Sequence, residues 1–126
     1  MKNNYEVKKC LKCGAMVEVL YPCTCEDCGI KCCGEVMQSL RANSVDASFE
    51  KHLPVYEVKG NKILAHVPHV MEEDHYIDYI VLETKNSVLK QYLKIGEEAK
   101  AEFPYEKGSK LFAYCNKHGI WCTEVE

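Results

Sequence analysis

Residues 55–67 have the sequence VYEVKGNKILAHV, and this segment decides the fold class. Two apolar-alternating runs, 55–58 and 63–67, flank the pair Gly60-Asn61. A Gly-Asn pair between two such runs predicts a tight β-hairpin. Valine, isoleucine and tyrosine crowd these runs and favour strands over the 3.6-residue period of a helix.

The same pattern continues from about residue 40 to the end of the chain. Short apolar-alternating runs follow one another, separated by turn-prone pairs such as Gly108-Ser109. Strands at this spacing, with no long helical period, predict an antiparallel sandwich or barrel. The runs are Val55–Val58, Ile63–Val67, Tyr76–Leu82, Val88–Ile95, Ala99–Tyr105 and Leu111–Tyr114.

Composition narrows the class of protein. The chain has 126 residues, 47% of them apolar, and a net charge of −3. This apolar fraction is typical of a globular protein, and the charge gives no reason to expect a nucleic-acid partner. Asp78 and Glu83 bracket the longest apolar candidate, so we expect no membrane span. The first residues lack the apolar segment of a secretory signal, and we therefore expect a cytoplasmic protein.

The nine cysteines are unevenly distributed, and most of them lie close to the N-terminus. Residues 1 to about 38 are too few to fold by hydrophobic burial alone, so a bound metal would have to stabilise them. An odd number of cysteines without an export signal argues against a disulfide framework. The N-terminal cysteines are Cys10, Cys13, Cys23, Cys25, Cys28, Cys32 and Cys33.

Spacing alone leaves the ligands of this N-terminal site open. Cys10 and Cys13 form a metal knuckle with Gly14 after it, which lets the loop turn. Cys25-Glu-Asp-Cys28-Gly29 repeats the knuckle and would complete an ordinary site for zinc or rubredoxin-type iron. Cys32-Cys33 offers adjacent thiolates instead, whose side chains would have to splay to reach one ion.

A second constellation combines histidines with one later cysteine. Cys115-Asn-Lys-His118 follows a predicted strand, so a thiol and an imidazole can reach one ion across a turn. His52, His69 and His75 lie in or next to predicted loops. Imidazoles with one thiolate suit iron, copper or zinc. A blue-copper site would need a methionine shortly after the loop histidine, and none follows His118.

The N-terminal residues resemble the desulforedoxin module, which binds one iron through a CxxC pair and an adjacent cysteine pair. The matching residues are Cys10-x-x-Cys13-Gly14-x-x-Val17-Glu18-Val19-Leu20 and Cys32-Cys33-Gly34-Glu35-x-Met37. The resemblance favours Cys10, Cys13, Cys32 and Cys33 as ligands, with Cys25 and Cys28 as the alternative second pair. The segment with Cys23, Cys25 and Cys28 departs from the family's glycine-rich loop, and a structural zinc site is the alternative to iron.

The rest of the chain resembles the superoxide reductase domain of the desulfoferrodoxin family. Val70 and Tyr76 depart from the family's usual proline and tryptophan, and neither is a ligand position. The matching residues are Glu50-Lys51-His52-x-Pro54-Val55, His69-x-Met71-Glu72-Glu73-x-His75-x-Ile77 and Cys115-Asn116-x-His118-Gly119-x-Trp121.

The resemblance implies a catalytic non-haem iron with four equatorial histidine nitrogens and an axial sulfur from Cys115. It also implies an immunoglobulin-like β-sandwich, with a desulforedoxin-like module over residues 1–38 and the iron domain over residues 39–126. His66 has no counterpart in these motifs, and we interpret it as exposed. The implied equatorial ligands are His52, His69, His75 and His118.

The implied activity is superoxide reductase, an oxidoreductase that detoxifies superoxide by reducing it to hydrogen peroxide. By motif position, Lys51 would attract the anionic substrate and help to deliver a proton, and Glu50 would take the sixth iron position in the resting ferric state. The family also implies a rubredoxin-like electron donor and a homodimer. The alternative is an iron electron-transfer or redox-sensing protein without significant superoxide turnover.

Overall fold

The structure is a computed structural model, and it describes residues 5–25 and 29–126. The chain divides into two compact units, one ending at Leu40 and the other running from Arg41 to Glu126. Within the described residues, no helix is long and apolar enough to cross a membrane.

The N-terminal unit consists of short antiparallel strands. Strand β1 pairs with β2 on one side and with β5 on the other, and β3 pairs with β4 in a two-stranded hairpin. Val7, Cys10 and Met37 are buried, whereas most of the unit's other described side chains are not. The strands are β1 (Val7–Lys9), β2 (Met16–Glu18), β3 (Lys31–Cys32), β4 (Glu35–Val36) and β5 (Gln38–Ser39).

The second unit is an antiparallel β-sandwich preceded by a one-turn helix, α1 (Phe49–His52). One sheet has the strand order β10-β7-β6 and the other has the order β12-β11-β8-β9. The strands are β6 (Val55–Lys59), β7 (Lys62–Val67), β8 (Ile77–Glu83), β9 (Val88–Tyr92), β10 (Ala99–Pro104), β11 (Lys110–Cys115) and β12 (Gly119–Glu124). The predicted fold class, a small Cys-rich unit followed by an antiparallel sandwich, is confirmed.

The predicted hairpin at Gly60-Asn61 is confirmed. Lys59 pairs with Lys62 across the two-residue turn, and Gly60 has φ +60°, the left-handed conformation that this turn requires. Strand β9 ends at Tyr92, earlier than the predicted run to Ile95, because its pairing with β8 ends at Tyr79.

Alternation along the strands builds one core between the two sheets. Strands β7 and β10 each bury every second residue, as their apolar pattern predicts. These side chains meet buried residues of β8 and β11 from the opposite sheet, and Cys115 is part of this cluster. The core is made by Ile63, Ala65, Val67, Ile77, Ile80, Leu82, Ala99, Ala101, Phe103, Leu111, Ala113, Cys115 and Val125. The end of β11 is thereby fixed where a ligand is expected.

Candidate metal centres

Five predicted ligand side chains of the sandwich converge on one point. Their ligand atoms all lie within 4.8 Å of one another. We call this set the histidine–cysteine group; it consists of His52, His69, His75, Cys115 and His118. Four imidazoles and one thiol collected in this way have the donor chemistry of a transition-metal site.

Strand β11 and the turn after it supply Cys115 and His118. The pairing of β11 with β8 shifts register between Tyr114 and Cys115, an irregularity of the kind that re-aims side chains beside functional sites. Gly119 has φ +80° and pairs with Cys115, so the chain turns back into β12 directly after His118. The turn brings the Cys115 Sγ and the His118 Nδ1 to 3.7 Å from each other.

The loop between β7 and β8 supplies His69 and His75. The main chains of Glu72 and His75 exchange two hydrogen bonds, which close a tight turn between the two histidines. The Nε2 atoms of His69 and His75 lie 3.1 Å apart, and the Nε2 of His69 lies 3.5 Å from the Cys115 Sγ.

Helix α1 supplies His52, which is only 4% exposed. Its Nδ1 lies 2.7 Å from the Ser48 carbonyl oxygen, and its Nε2 lies 3.1 Å from the His118 Nδ1. The ring of the fully buried Trp121 stacks on His52, and the Trp121 Nε1–H donates to the His118 carbonyl oxygen at 3.0 Å. Trp121 therefore helps to position both His52 and His118.

Backbone partners settle which ring nitrogen His52 and His69 turn to the centre. The Nδ1–H of His52 donates to the Ser48 carbonyl, and the Nδ1–H of His69 donates to the Val70 carbonyl. Both Nε2 lone pairs are then available for a metal, the usual arrangement of ligating histidines. The group thus offers Nε2 from His52, His69 and His75, Nδ1 from His118, and the sulfur of Cys115.

Electrostatics favour the ligating form of the imidazoles. Burial, the largest cause in each case, lowers the pKa of His52, His69 and His75 below its ordinary value of 6.5. These three rings are therefore neutral at pH 7, and a neutral imidazole can donate its lone pair to a cation.

Asn116 is a site residue whose role the sequence did not indicate. Its Oδ1 accepts the Tyr76 main-chain N–H at 2.9 Å, and its Nδ2 donates to the Asp74 carbonyl at 3.0 Å. The Asn116 main-chain N–H also donates to the Tyr76 carbonyl at 3.1 Å. These bonds join the loop that carries His75 to the turn that carries His118. Asn116 lies inside the third motif, but its partners are 40 and 42 residues away in sequence.

Four cysteines of the N-terminal unit form a second group. Their sulfurs also lie within 4.8 Å of one another, and we call them the four-cysteine group: Cys10, Cys13, Cys32 and Cys33. Cys25, a member of the alternative pair, lies outside this group, and Cys28 lies outside the described residues.

Turn geometry brings the sulfurs of the four-cysteine group together. Gly14, at φ +82°, closes the knuckle by donating its N–H to the Cys10 carbonyl at 2.9 Å, and the Cys13 N–H points at the Cys10 Sγ at 3.4 Å. Cys33 has φ +55°, unusual for a residue with a side chain, and this conformation splays it from Cys32. The Sγ atoms of Cys13 and Cys32 lie 3.6 Å apart.

The protonation of these thiols fits a cation site. The N–H of Cys13 is the main reason that the pKa of Cys10 is lowered to about 7. Hydrogen bonding with Cys13 is the main reason that the pKa of Cys32 is raised to about 12. At pH 7 Cys10 is therefore partly ionised, whereas Cys32 beside it resists ionisation. A metal ion would supply the positive charge that lets all four ligate as thiolates.

The structure places the other predicted residues outside the two ligand groups. Glu50 and Lys51 lie on α1 next to His52, and both are exposed. Met71 packs against the core, and its sulfur accepts the Ile77 N–H at 3.4 Å. His66 was expected to be exposed but is half-buried, because it lies within β7, paired with Lys100 of β10.

Comparison with known proteins begins with the fold and a family profile. The superoxide reductase of Treponema pallidum has a similar fold, with a TM-score of 0.70 over 94% of this chain and 98% of that chain, at 24% identity. A family profile described as desulfoferrodoxin matches residues 44–124.

Relatives along the whole chain then give the family. A desulfoferrodoxin of Syntrophotalea carbinolica is 41% identical, covering 98% of this chain and 99% of its own length. A desulfoferrodoxin of Nitratidesulfovibrio vulgaris is 40% identical, covering 99% of this chain and all of its own length. The chain belongs to the desulfoferrodoxin family, as its motifs predicted.

Proposed function

We propose that this protein is a superoxide reductase, an oxidoreductase that converts superoxide to hydrogen peroxide and so detoxifies it. The histidine–cysteine group would hold the catalytic iron. The observation that carries this proposal is the convergence of four imidazole nitrogens and the Cys115 sulfur within 4.8 Å. Membership of the desulfoferrodoxin family supports it.

The donor set fits iron better than copper. Five protein donors leave one position on an ion that prefers six ligands, and a small anion can take that position. Iron held there would supply a one-electron couple, with the thiolate as the ligand that raises electron density at the open position. A blue-copper site would need a weak methionine ligand, whereas the Met71 sulfur accepts a hydrogen bond from the Ile77 N–H.

The chain's own charges would guide the substrate. Superoxide is an anion and the protein has a net charge of −3, so attraction has to be local. Lys51 is an exposed cation one residue before His52, on the same helical turn. We assign Lys51 the attraction of superoxide and help with proton delivery, and Glu50 the sixth ligand position in the resting ferric protein. Each superoxide consumes one electron and two protons and gives one hydrogen peroxide.

The four-cysteine group would hold a second iron, with zinc as the alternative. A cluster of four thiols in a unit with few buried side chains supports a resident metal. We assign the unit ending at Leu40 to the desulforedoxin-like module and the unit from Arg41 to the iron domain, close to the predicted boundary at residues 38 and 39. A rubredoxin-like donor and a homodimer complete the proposal on family grounds, and we also propose a cytoplasmic location.

Stopped-flow mixing of the reduced, iron-loaded protein with superoxide tests the activity. We expect superoxide to disappear at a rate proportional to protein concentration. Cys115→Ser should abolish this reaction and the sulfur-to-iron absorption of the centre, while the N-terminal metal stays in place. Cys122→Ser is the matched control, because Cys122 is a half-buried cysteine of β12 outside the histidine–cysteine group. Full activity in Cys115→Ser would contradict the ligand assignment.

A further inference from the structure

A row of three tyrosines crosses the sheet that carries Cys115. The residues pair on neighbouring strands, Tyr114 of β11 with Tyr79 of β8, and Tyr79 with Tyr92 of β9. The rings of Tyr114 and Tyr79 are stacked with their centroids 5.6 Å apart, and those of Tyr79 and Tyr92 meet edge to face at 6.1 Å. Both separations are those of direct aromatic contact. We call this set the tyrosine row.

The tyrosine row runs from the histidine–cysteine group to solvent. Its inner end, Tyr114, directly precedes the ligand Cys115, so the main chain links its ring to the metal site through covalent bonds. Tyr114 and Tyr79 are each 5% exposed, whereas Tyr92, on the edge strand β9, is 64% exposed. Side chains that can each lose one electron therefore form a path outward from the site proposed to hold the catalytic iron.

The outer end of the row differs from its buried part. Cross-strand aromatic pairs stabilise sheets, and packing alone would account for Tyr79 and Tyr114. Tyr92 instead keeps most of its surface in solvent, and Lys90 lies beside it, with its Nζ 5.3 Å from the Tyr92 ring centroid and 3.5 Å from the Tyr92 hydroxyl oxygen. A cation at this position attracts small anions to the most exposed ring of the row.

We propose that the tyrosine row removes oxidising equivalents when hydrogen peroxide, the product of the proposed function on which this inference rests, reacts at the metal site. Peroxide accepts two electrons and two protons from the solvent, its O–O bond breaks, and two water molecules leave. One electron comes from the ferrous centre, and the other comes from Tyr92 through Tyr79 and Tyr114. The Tyr92 hydroxyl releases its proton to water and becomes a phenoxyl radical. A small anionic one-electron reductant, with a proton from water, returns the radical to tyrosine.

Exposure decides where the radical comes to rest. A tyrosine that gives up an electron becomes strongly acidic, so its radical is favoured where the proton can leave. Tyr79 and Tyr114 are shielded from water, and a charge left on either buried ring would be costly. These two rings therefore pass the electron on, whereas Tyr92 can lose its proton to the solvent.

Sulfur side chains at the metal site are what the row would protect. Thiolates are oxidised to sulfenic acid and then irreversibly to higher acids, and methionine is oxidised to its sulfoxide. Cys115 is fully buried in the core, and Met71 lies between the ligands His69 and His75 in the chain. Irreversible oxidation of Cys115 would destroy the sulfur ligand, whereas a radical on Tyr92 can be reduced again from outside.

Hydrogen peroxide added to the reduced, iron-loaded protein tests the proposal without superoxide. One equivalent is mixed in, a nitroso spin trap captures protein radicals, and peptide mapping by mass spectrometry locates the adduct and any oxidised sulfur. We expect the adduct on Tyr92, with Cys115 and Met71 unoxidised, and added ascorbate, a small anionic reductant, should abolish the adduct. Tyr21 is the internal control, because it is 67% exposed and lies outside the row, so an oxidant diffusing through solvent would label it as well.

A conservative variant separates the path from diffusion. Tyr79→Phe keeps the middle ring but removes the hydroxyl that makes it oxidisable, so the Tyr92 adduct should fall about tenfold and oxidation of Cys115 should rise. Tyr21→Phe is the matched control and should leave both unchanged. The proposal is overturned if Tyr92 carries no more adduct than Tyr21, if the adduct lies on Trp121 instead, or if Tyr79→Phe leaves the Tyr92 adduct unchanged.

Failure of this proposal is distinct from failure of the proposed function. The peroxide experiment uses no superoxide, so an overturned tyrosine row leaves the reductase activity intact. Absence of superoxide reduction in stopped-flow would instead refute the reductase activity, whatever the position of the spin-trap adduct.

Discussion

In the β-sandwich, a hydrophobic core holds the elements that carry the metal ligands. In the N-terminal unit, turns and hydrogen bonds bring the ligands together instead. Cys115 is fully buried at the end of a core strand, and His52 is covered by the ring of Trp121. Cys13 and Cys33 are exposed, and the left-handed residues Gly14 and Cys33 set the geometry of their group. The sandwich can therefore form its site before metal arrives, whereas the N-terminal unit needs the metal to hold its site together.

Removing both metals should give the largest difference between the two units, because only the N-terminal unit is expected to lose its structure. We expect the N-terminal unit to lose most of its amide protection, since few buried side chains remain to order it. Strands β7, β8, β10 and β11 should keep theirs, because their core contains no metal ligand except Cys115. Hydrogen exchange with mass spectrometry on metal-loaded and chelated protein measures both. Equal loss of amide protection in both units would show that the β-sandwich depends on its metal as much as the N-terminal unit does.

Substituting one N-terminal ligand should remove the metal of the N-terminal unit only. Cys32→Ser removes a sulfur that lies 3.6 Å from that of Cys13, and we expect loss of the N-terminal metal with the metal of the histidine–cysteine group retained. Cys25→Ser and Cys28→Ser are the controls, and both should keep two metals per chain. Metal analysis and visible absorption decide the outcome. Loss of metal in Cys28→Ser but not in Cys32→Ser would favour the alternative pair.

Asn116→Ala should loosen the sandwich site without removing a ligand. It deletes the side-chain bonds to Tyr76 and Asp74, so the loop carrying His75 is less well held. We expect metal affinity at the histidine–cysteine group to fall roughly 10–100-fold, the usual cost of losing an outer partner of a metal site. Competition with a chelator measures it. Asn61→Ala, in the β6–β7 turn, should leave the affinity unchanged.

Lys51→Ala should have the smallest effect, on rate alone. Loss of the exposed charge beside His52 should slow the reaction with superoxide about tenfold at low salt and less at high salt. Lys107→Ala carries the same charge change in the turn before β11, at the opposite end of that strand from Cys115. A salt series in stopped-flow distinguishes them, and an equal slowing in both variants would mean that only net charge matters.

Much of this architecture could be predicted from the sequence. Alternation located most of the sandwich strands, and the Gly60-Asn61 pair located the β6–β7 hairpin, because both signals are local. The resemblance of the histidine and cysteine motifs to the family indicated the members of both ligand groups, whereas spacing alone left the N-terminal set open. Local sequence patterns predict those parts of the structure that strand pairing and turn chemistry determine.

The remaining features depend on contacts between distant residues. Helix α1 has four residues, too few for a helical period, and it is ordered by packing of Phe49 and His52 against Trp121. The hydrogen bonds of Asn116 connect two loops that the sequence does not place side by side.

Product stoichiometry tests the central claim most directly. Reduced, iron-loaded protein is mixed with a limiting amount of superoxide, and both hydrogen peroxide and dioxygen are measured. The account predicts one hydrogen peroxide for each superoxide consumed, no dioxygen, and oxidation of one histidine–cysteine centre per superoxide. One hydrogen peroxide and one dioxygen for every two superoxides, with the centre unchanged, would show dismutation and contradict it.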